Sequence, residues 1–288
     1  MNLSAFFLDP FFEHVFMKRA LVAALVLAIT TTPFGVFLAL RRMTLVGDAI
    51  AHALLPGVAV GFLLAGFSLW AMTLGGLCAA LLVAVLAGFL TRATSLKEDS
   101  AFTLLYLLAL ACGVILMSLK GRQLELMHLL FGHVLAIDPA SLFMIAGVGC
   151  FALLTLAALY RRLVVEGFDP VFLHIMQGAG KSRSTSHFLF FLLLMLCLVV
   201  SFQTMGTLMA LGLMILPALA ARFWCSDLDS MIFSAMIFGV FSAYGGLLLS
   251  YHGGVPSGPA IILIAGLWAL VSAFLGRVGS LRAHHVTH

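Results

Sequence analysis

An aspartate and a histidine four residues apart are the residues in this sequence whose types and spacing best suit chemistry. Asp48 and His52 occur in the stretch GDAIAHALLPG, residues 47–57. On a helix, side chains at positions i and i+4 lie on one face about one turn apart, so this carboxylate and imidazole can ligate the same ion. A borderline divalent cation accepts such a mixed N,O donor set. In the alternative interpretation, Asp48 caps the helix and His52 hydrogen-bonds a neighbouring helix.

The surroundings of the pair favour the metal interpretation. Both residues lie at or inside the boundary of an apolar segment that is long enough to cross a membrane. Ionisable side chains at such depths usually face a cavity or a transport pathway. Pro56 and Gly57 follow closely, and we expect them to bend the helix just beyond the pair. The sequence therefore predicts a cation site with Asp48 and His52 as ligands.

Other patterns that could do chemistry are incomplete. The stretch IMQGAGKS, residues 175–182, ends like a phosphate-binding P-loop, but Ile175 stands where that motif needs its first glycine. No HExxH zinc-protease motif occurs, and no GxSxG-like motif supports a serine protease. His284, His285 and His288 lie in a polar tail and are an alternative metal site. The sequence predicts no catalytic residue and no enzymatic activity.

The composition indicates an integral membrane protein. Of the 288 residues, 63% are hydrophobic and 9% are charged, against roughly 25% charged residues in a soluble domain. Apolar runs recur at close to the ~20 residues that a helix needs to cross a bilayer. We expect an all-α membrane protein with eight or nine transmembrane helices. The candidate spans are Ala20–Leu40, Ala49–Phe67, Trp70–Leu90, Ala101–Leu119, Leu142–Tyr160, His187–Met205, Gly206–Phe223, Met231–Leu249 and Ala260–Leu275.

The positions of Lys and Arg predict the orientation. With the N-terminus outside and an odd number of spans, eleven of the fifteen Lys and Arg residues fall in inner loops. The longest inner loop, 163–186, is where a cytoplasmic partner is expected to dock. We divide the chain into an N-terminal interfacial segment (1–16), a transmembrane domain (17–276) and a cytoplasmic tail (277–288). Leu126–Ile137 is too short to span and is expected to be re-entrant or interfacial.

Four stretches, in order, resemble the metal-type ABC importer permeases, the membrane subunits of zinc, manganese and iron(II) uptake systems. They are RRMTLVGDAIAHALLPGVAVGFLL (41–64), LFGHVLAIDPASL (130–142), GTLMALGLMILPALAAR (206–222) and VPSGPAII (255–262). The likeness covers nearly the whole chain, from residue 16 to 274. It implies the ABC importer permease fold and a homodimer. It also implies two cytoplasmic ATP-binding subunits and a separate extracytoplasmic metal-binding protein that delivers the ion.

The same resemblance assigns roles to individual residues. In this family the Asp and His of the GDxxxHA motif, here Asp48 and His52, are implicated in holding the metal on its path. The segment FDPVFLHIMQGAG, residues 168–180, looks like the one that docks into the ATPase. Its residues that keep the family pattern are Asp169, Pro170 and Phe172. The chain departs from the family at His133, where an acid usually follows the LFG motif.

We therefore expect the permease subunit of an ATP-driven importer of divalent metal ions in the inner (plasma) membrane. The transported ion is expected to be zinc or manganese, with iron(II) as a third candidate, because a mixed N,O site does not choose among them. No permanently bound cofactor is expected, since a partner subunit hydrolyses the ATP. Membrane lipid is an expected partner and nucleic acid is not.

Two other functions are alternatives to the importer. A secondary metal ion transporter would work without an ATPase and would need further buried acids. Apart from Asp48, the acidic residues lie in predicted loops or near the termini. An intramembrane protease would need a catalytic motif that this sequence lacks.

Overall fold

The structure is a bundle of long helices. The computed structural model describes residues 9–66, 68–118, 137–168 and 182–279, and these ranges contain no strand. The described helices of ten or more residues are α1 (Val15–Leu40), α2 (Thr44–Ala53), α3 (Leu55–Ala65), α4 (Leu69–Ala93), α5 (Glu98–Ser118), α6 (Pro139–Phe168), α7 (Ser182–Met205), α8 (Thr207–Arg222), α9 (Leu228–Gly253) and α10 (Ser257–Leu275). The predicted all-α architecture is confirmed.

Most predicted spans correspond to helices that can cross a bilayer. Within the described ranges, seven stretches are long and apolar enough: α1, α2 together with α3, α4, α6, α7, α9 and α10. Two predicted spans correspond to shorter apolar helices, Ser100–Leu116 in α5 and the 16 residues of α8. At 1.5 Å per residue, α8 is about 24 Å long, against the ~30 Å of a typical hydrocarbon core. A membrane protein with several spans is confirmed, and the total of eight or nine stays a prediction.

The predicted span at Ala49–Phe67 is interrupted in the structure. It overlaps Thr44–Ala65 from residue 49 to 65, and that stretch consists of α2 and α3 meeting at Leu54. Pro56 has no backbone N–H and cannot donate to the carbonyl of His52 four residues earlier, which weakens the helix at this point. Leu54 keeps a helical conformation, with φ −70° and ψ −30°. The helix is thus interrupted at Leu54, just beyond the Asp48 and His52 pair, and the expected bend stays a prediction.

The chain changes direction at Gly206. This residue lies between α7 and α8 with φ 83° and ψ 160°, a region essentially limited to glycine. Pro217 lies inside α8, and that helix stays continuous from Thr207 to Arg222 although proline commonly interrupts helices. Gly206 thus separates α7 from α8, whereas α8 continues through Pro217.

Two buried clusters pack near opposite ends of α1. One contains Phe34 and Leu38 together with side chains of α2, α4, α6 and α7. The other contains Met17 and Leu27 together with side chains from the end of α7, α8 and α9. Helix α8 contributes Met209 to the second cluster and Met214 to the first. Helix α8 therefore runs in the same direction as α1 and reaches both clusters.

Helices α3 and α4 touch through glycines. A Cβ at Gly57 would collide with the carbonyl oxygen of Gly75, and a Cβ at Gly75 would collide with that of Gly57. Gly61 faces the backbone of Ala71 in the same way. Small residues let membrane helices approach to backbone contact, where van der Waals packing is strongest. This contact holds α3, which continues the helix carrying the candidate ligands, against α4.

Several predicted features lie outside the described residues. They include the docking residues Asp169, Pro170 and Phe172, and His133, where the chain departs from the family motif. They also include residues 126–136, which are most of the short apolar stretch, and residues 280–288, which contain the histidine tail. Their expected roles stay predictions, as does the division of the chain into three segments.

Candidate metal site

A tight turn between α1 and α2 sets the direction of the helix that carries the candidate ligands. The N–H of Met43 donates to the carbonyl of Leu38 at 2.9 Å, and the N–H of Arg42 donates to that of Ala39 at 3.3 Å. This pair of bonds is typical of a helix that ends with a left-handed residue. Arg42 is that residue, with φ 57°. The turn therefore satisfies the last carbonyls of α1 while starting α2 immediately.

Helix α2 has one buried face and one polar face. The guanidinium carbon of Arg41, just before it, lies 5.1 Å from the ring centroid of Phe190 in α7, a cation–π contact that anchors the turn. The buried face packs into the same cluster as Phe190. The side chains of that face are Val46, Ala49, Ile50 and Ala53. Asp48 and His52 project from the other face, as the i, i+4 spacing predicts.

The two candidate ligands face each other at a distance that suits a shared ion. Nε2 of His52 lies 3.4 Å from Oδ1 of Asp48, and the side chains are 26% and 46% exposed, respectively. Two donors that are each about 2.1 Å from a tetrahedral ion lie about 3.4 Å apart. The separation of the two atoms is therefore compatible with one shared divalent ion, and it also suits an ion pair between Asp48 and a protonated His52.

The capping interpretation does not fit this geometry. Helix α2 begins at Thr44, and no side chain hydrogen-bonds its N-terminus. Asp48 is the fifth residue of the helix, beyond the first turn, where the free N–H groups lie. His52 contacts a neighbouring helix by stacking rather than by a hydrogen bond within the described part of the chain. The arrangement leaves both side chains available for a ligand.

Tyr106 of α5 orients the imidazole. Its ring stacks on that of His52 with centroids 5.9 Å apart and an angle of 28° between the planes. Sequence reasoning missed this residue, because an aromatic in a distant apolar helix carries no signal of its partner. Nδ1 of His52 is buried and has no hydrogen-bond partner among the described residues. Metal-binding histidines usually donate their second ring N–H to an oxygen acceptor, and none of the described residues supplies one here.

The candidate pair by itself offers too few ligands for a complete coordination shell. The described residues contain no group of three or more His, Cys, Asp or Glu side chains that could hold a metal. A divalent transition metal takes four or more ligands. The half-exposed carboxylate of Asp48 leaves an open side through which further ligands can complete the shell.

Comparisons with known proteins agree with this architecture. The chain is 35% identical over 283 residues to "Manganese transport system membrane protein MntC" of Halalkalibacterium halodurans, covering 98% of this chain and 94% of that protein. It is 32% identical over 270 residues to "Manganese import system permease protein ScaB" of Streptococcus gordonii, covering 93% and 94%. The solved structure "PsaBC from Streptococcus pneumoniae in complex with Fab" superposes with a TM-score of 0.87 at 32% identity. That superposition covers 99% of this chain and 100% of the other.

The family assignment extends over almost the whole bundle. The sequence pattern of the ABC 3 transport family matches residues 13–276, from just before α1 to just after α10. That range contains the Asp48 and His52 pair, the turn that positions it and the helix that stacks on it. The chain therefore belongs to the ABC 3 transport family, and the resemblance of its motifs to the metal-type ABC importer permeases is confirmed.

Proposed function

We propose that this protein is the membrane permease subunit of an ATP-driven importer of divalent metal ions, and that Asp48 and His52 hold the ion on its path. The observation that carries the proposal is the 3.4 Å separation of two donors on a half-exposed helix face. Family membership and relatives named for manganese transport support it. Among the candidate ions we favour manganese, while the donor set also suits zinc and iron(II).

The proposed working form is a homodimer. Most homo-oligomers have a two-fold axis, and such an axis beside α2 would bring two copies of Asp48 and His52 to one path. The result is two carboxylate oxygens and two imidazole nitrogens, which complete a tetrahedral shell for zinc and leave two positions for water in the octahedral shell that manganese prefers. The arriving cation also relieves repulsion between the two carboxylates. The exposed side of Asp48 supports this arrangement.

The proposed topology has nine crossings, with the N-terminus outside and the C-terminus in the cytoplasm. It counts α5 and α8 as full crossings, and the contacts of α8 with both buried clusters support this. Helix α6 then ends at Phe168 on the inner side, directly before the segment that resembles an ATPase docking site. An extracytoplasmic metal-binding protein is the proposed donor on the opposite side.

The decisive test compares uptake by Asp48→Asn and His52→Ala with the wild type, each assembled with its partner subunits at limiting metal. Loss of a second-shell partner typically costs 10–100-fold in metal affinity or activity, so loss of a direct ligand should lower uptake at least about 100-fold. Asp48→Asn is the sharper variant, because it nearly preserves shape while removing the charge. Asp138→Asn, an exposed acid outside the pair, is the control and should transport normally.

The outcomes separate the proposal from its rivals. Near-normal uptake by Asp48→Asn at normal membrane abundance would refute the metal role of the pair. Uptake that continues with a catalytically dead ATPase partner would favour a secondary transporter. Loss of uptake with intact ATPase assembly supports the importer.

The docking proposal has its own test. Phe172→Asp or Asp169→Lys should weaken co-purification of the ATP-binding subunit, because each change alters the segment that resembles the family's docking surface. Val255→Asp is the control, since this exposed residue lies at the other end of the bundle, between α9 and α10. Full recovery of the ATPase with both docking variants would remove the assignment.

A further inference from the structure

A groove lies between α1, α6 and α9, apart from the candidate metal site. Its volume is about 450 Å³, and Phe37 of α1, Leu153 and Ala157 of α6 and Met236 of α9 form parts of its apolar walls. From Leu153 to Tyr160 the groove follows seven residues of helix, or about 10 Å. That is about two-thirds of the ~15 Å that one leaflet contributes to the hydrocarbon core. In a membrane protein, such a groove is suited to an acyl chain.

One end of the groove is polar. Tyr160 and Asp229 line it there, and the Tyr160 hydroxyl donates a hydrogen bond to Oδ1 of Asp229. Asp229 lies in the first turn of α9. Its other carboxylate oxygen has no partner among the residues that the structure describes. This end of the groove therefore offers a free acceptor for a cationic donor.

A positive charge follows directly after Tyr160 along α6. Arg161 follows Tyr160 and is exposed. It continues the stripe of Leu153 and Ala157, because residues four apart share a face of the helix. Within the described ranges Arg161 forms no ion pair with Asp229. Helix α6 thus places Arg161 one turn beyond the groove-lining Ala157, on the side of the groove where Asp229 lies.

The groove ends at the depth where lipid headgroups lie. Helix α1 ends at Leu40 and α9 begins at Leu228 on this side of the bundle. Arginines gather at the same side, and those in the described part of the chain include Arg41, Arg42, Arg161, Arg162 and Arg222. Basic residues between transmembrane helices at an interface are suited to lipid phosphates.

We propose that this groove binds one phospholipid whose headgroup carries both a phosphate and a primary ammonium group, as in phosphatidylethanolamine. The acyl chain lies along the apolar walls, the phosphate contacts Arg161, and the ammonium donates to the free oxygen of Asp229. A choline headgroup has no N–H to donate. A purely anionic headgroup would place its charge against Asp229 without supplying a cation. The match rests on the carboxylate of Asp229 at the polar end and on Arg161 one turn beyond Ala157, and it does not depend on the metal site.

The test measures lipid bound to the purified full-length permease by native mass spectrometry. Phosphatidylethanolamine, phosphatidylcholine and phosphatidylglycerol with identical acyl chains are offered separately. A hydrogen bond to a charged group is strong enough that ethanolamine lipid should bind about tenfold better than choline lipid. Asp229→Asn should abolish this preference, while Arg161→Gln should weaken all three lipids because they share the phosphate.

Matched controls test whether the groove itself is occupied. Ala157→Phe fills the groove and should lower binding of every lipid several-fold. Ala158→Phe adds the same bulk at the next exposed residue, which does not line the groove, and should bind lipid normally. Arg162→Gln removes a charge one residue beyond Arg161, off its stripe, and should also bind normally. The comparison of Ala157→Phe with Ala158→Phe and that of Arg161→Gln with Arg162→Gln test the proposal even if Asp229→Asn does not fold.

Three results would overturn the proposal. Equal binding of ethanolamine and choline lipids would indicate a non-selective lipid annulus. Stronger binding of the glycerol lipid would indicate an anionic lipid site. A change of oligomeric state in Ala157→Phe without a change in lipid binding would indicate that a second copy of the chain covers the groove.

Discussion

Replacing Gly75 by alanine should weaken the contact between α3 and α4 and destabilise the protein. The added Cβ would collide with the carbonyl oxygen of Gly57, and the next nearest atoms are also backbone. Backbone atoms cannot rotate away as the end of a flexible side chain can. The two helices must therefore separate, and α3 is the continuation of the helix that carries Asp48 and His52.

The magnitude follows from a comparison within the same helix. Gly88 also lies in α4, is exposed, and has nothing within 4 Å of the position where a Cβ would be added. Alanine gains up to about 1 kcal/mol of helix propensity over glycine at either position. Only Gly75→Ala adds an overpacking cost, typically 1–3 kcal/mol, and the rigid backbone contact places it near the upper end. We expect Gly75→Ala to be about 2 kcal/mol less stable than the wild type and about 3 kcal/mol less stable than Gly88→Ala.

The assay is denaturant or thermal unfolding of the purified full-length permease, with membrane abundance measured in parallel. Gly57→Ala should behave like Gly75→Ala, because it opens the same contact from the other side. The double variant should cost less than the sum of the two single variants, since residues in contact are not independent. Equal stability of Gly75→Ala and Gly88→Ala would refute the reasoning.

Three further predictions concern other parts of the bundle. Tyr106→Leu should lower metal uptake about tenfold by releasing the His52 ring, while Tyr106→Phe keeps the stacking and the uptake. Asp138 accepts hydrogen bonds from Ser141, and these bonds lower the pKa of the Asp138 carboxyl. The ionised carboxylate therefore stabilises the folded protein at neutral pH, and this stabilisation is lost as the pH falls below about 4. Asp138→Ala should therefore cost about 1 kcal/mol in unfolding measurements at pH 7 and little near pH 2. In an otherwise cysteine-free chain, Val255→Cys, at an exposed residue between α9 and α10, should react with impermeant thiol reagents in intact cells. A cysteine at position 182 should be shielded, and the reverse pattern would overturn the orientation.

Local spacing in the sequence was enough to predict the helical architecture and the geometry of the candidate pair. Continuous apolar runs require helices in a bilayer, because each backbone group must be paired within its own segment. The i, i+4 spacing of Asp48 and His52 places both on one face of any helix, whatever the helix packs against. The missing N–H of Pro56 likewise predicts an interruption wherever that segment lies.

Sequence rules were less reliable where tertiary packing determines whether a helix ends or continues. Proline commonly breaks a helix, yet α8 continues through Pro217. Gly206 was a weak boundary by hydropathy, but its backbone conformation separates α7 from α8. In both cases neighbouring helices determine which conformation the chain adopts, and hydropathy does not contain that information.

The contacts that orient the site depend on residues that are distant in the chain. Tyr106 reaches His52 only because α5 packs beside α2, and Arg41 meets Phe190 only because α7 returns to the end of α1. The groove between α1, α6 and α9 arises from three separate segments. Sequence spacing specifies which side chains share a face of one helix, because that depends on 3.6 residues per turn. Which faces meet depends on the shapes of all the helices packed together, and therefore only the tertiary structure defines those contacts.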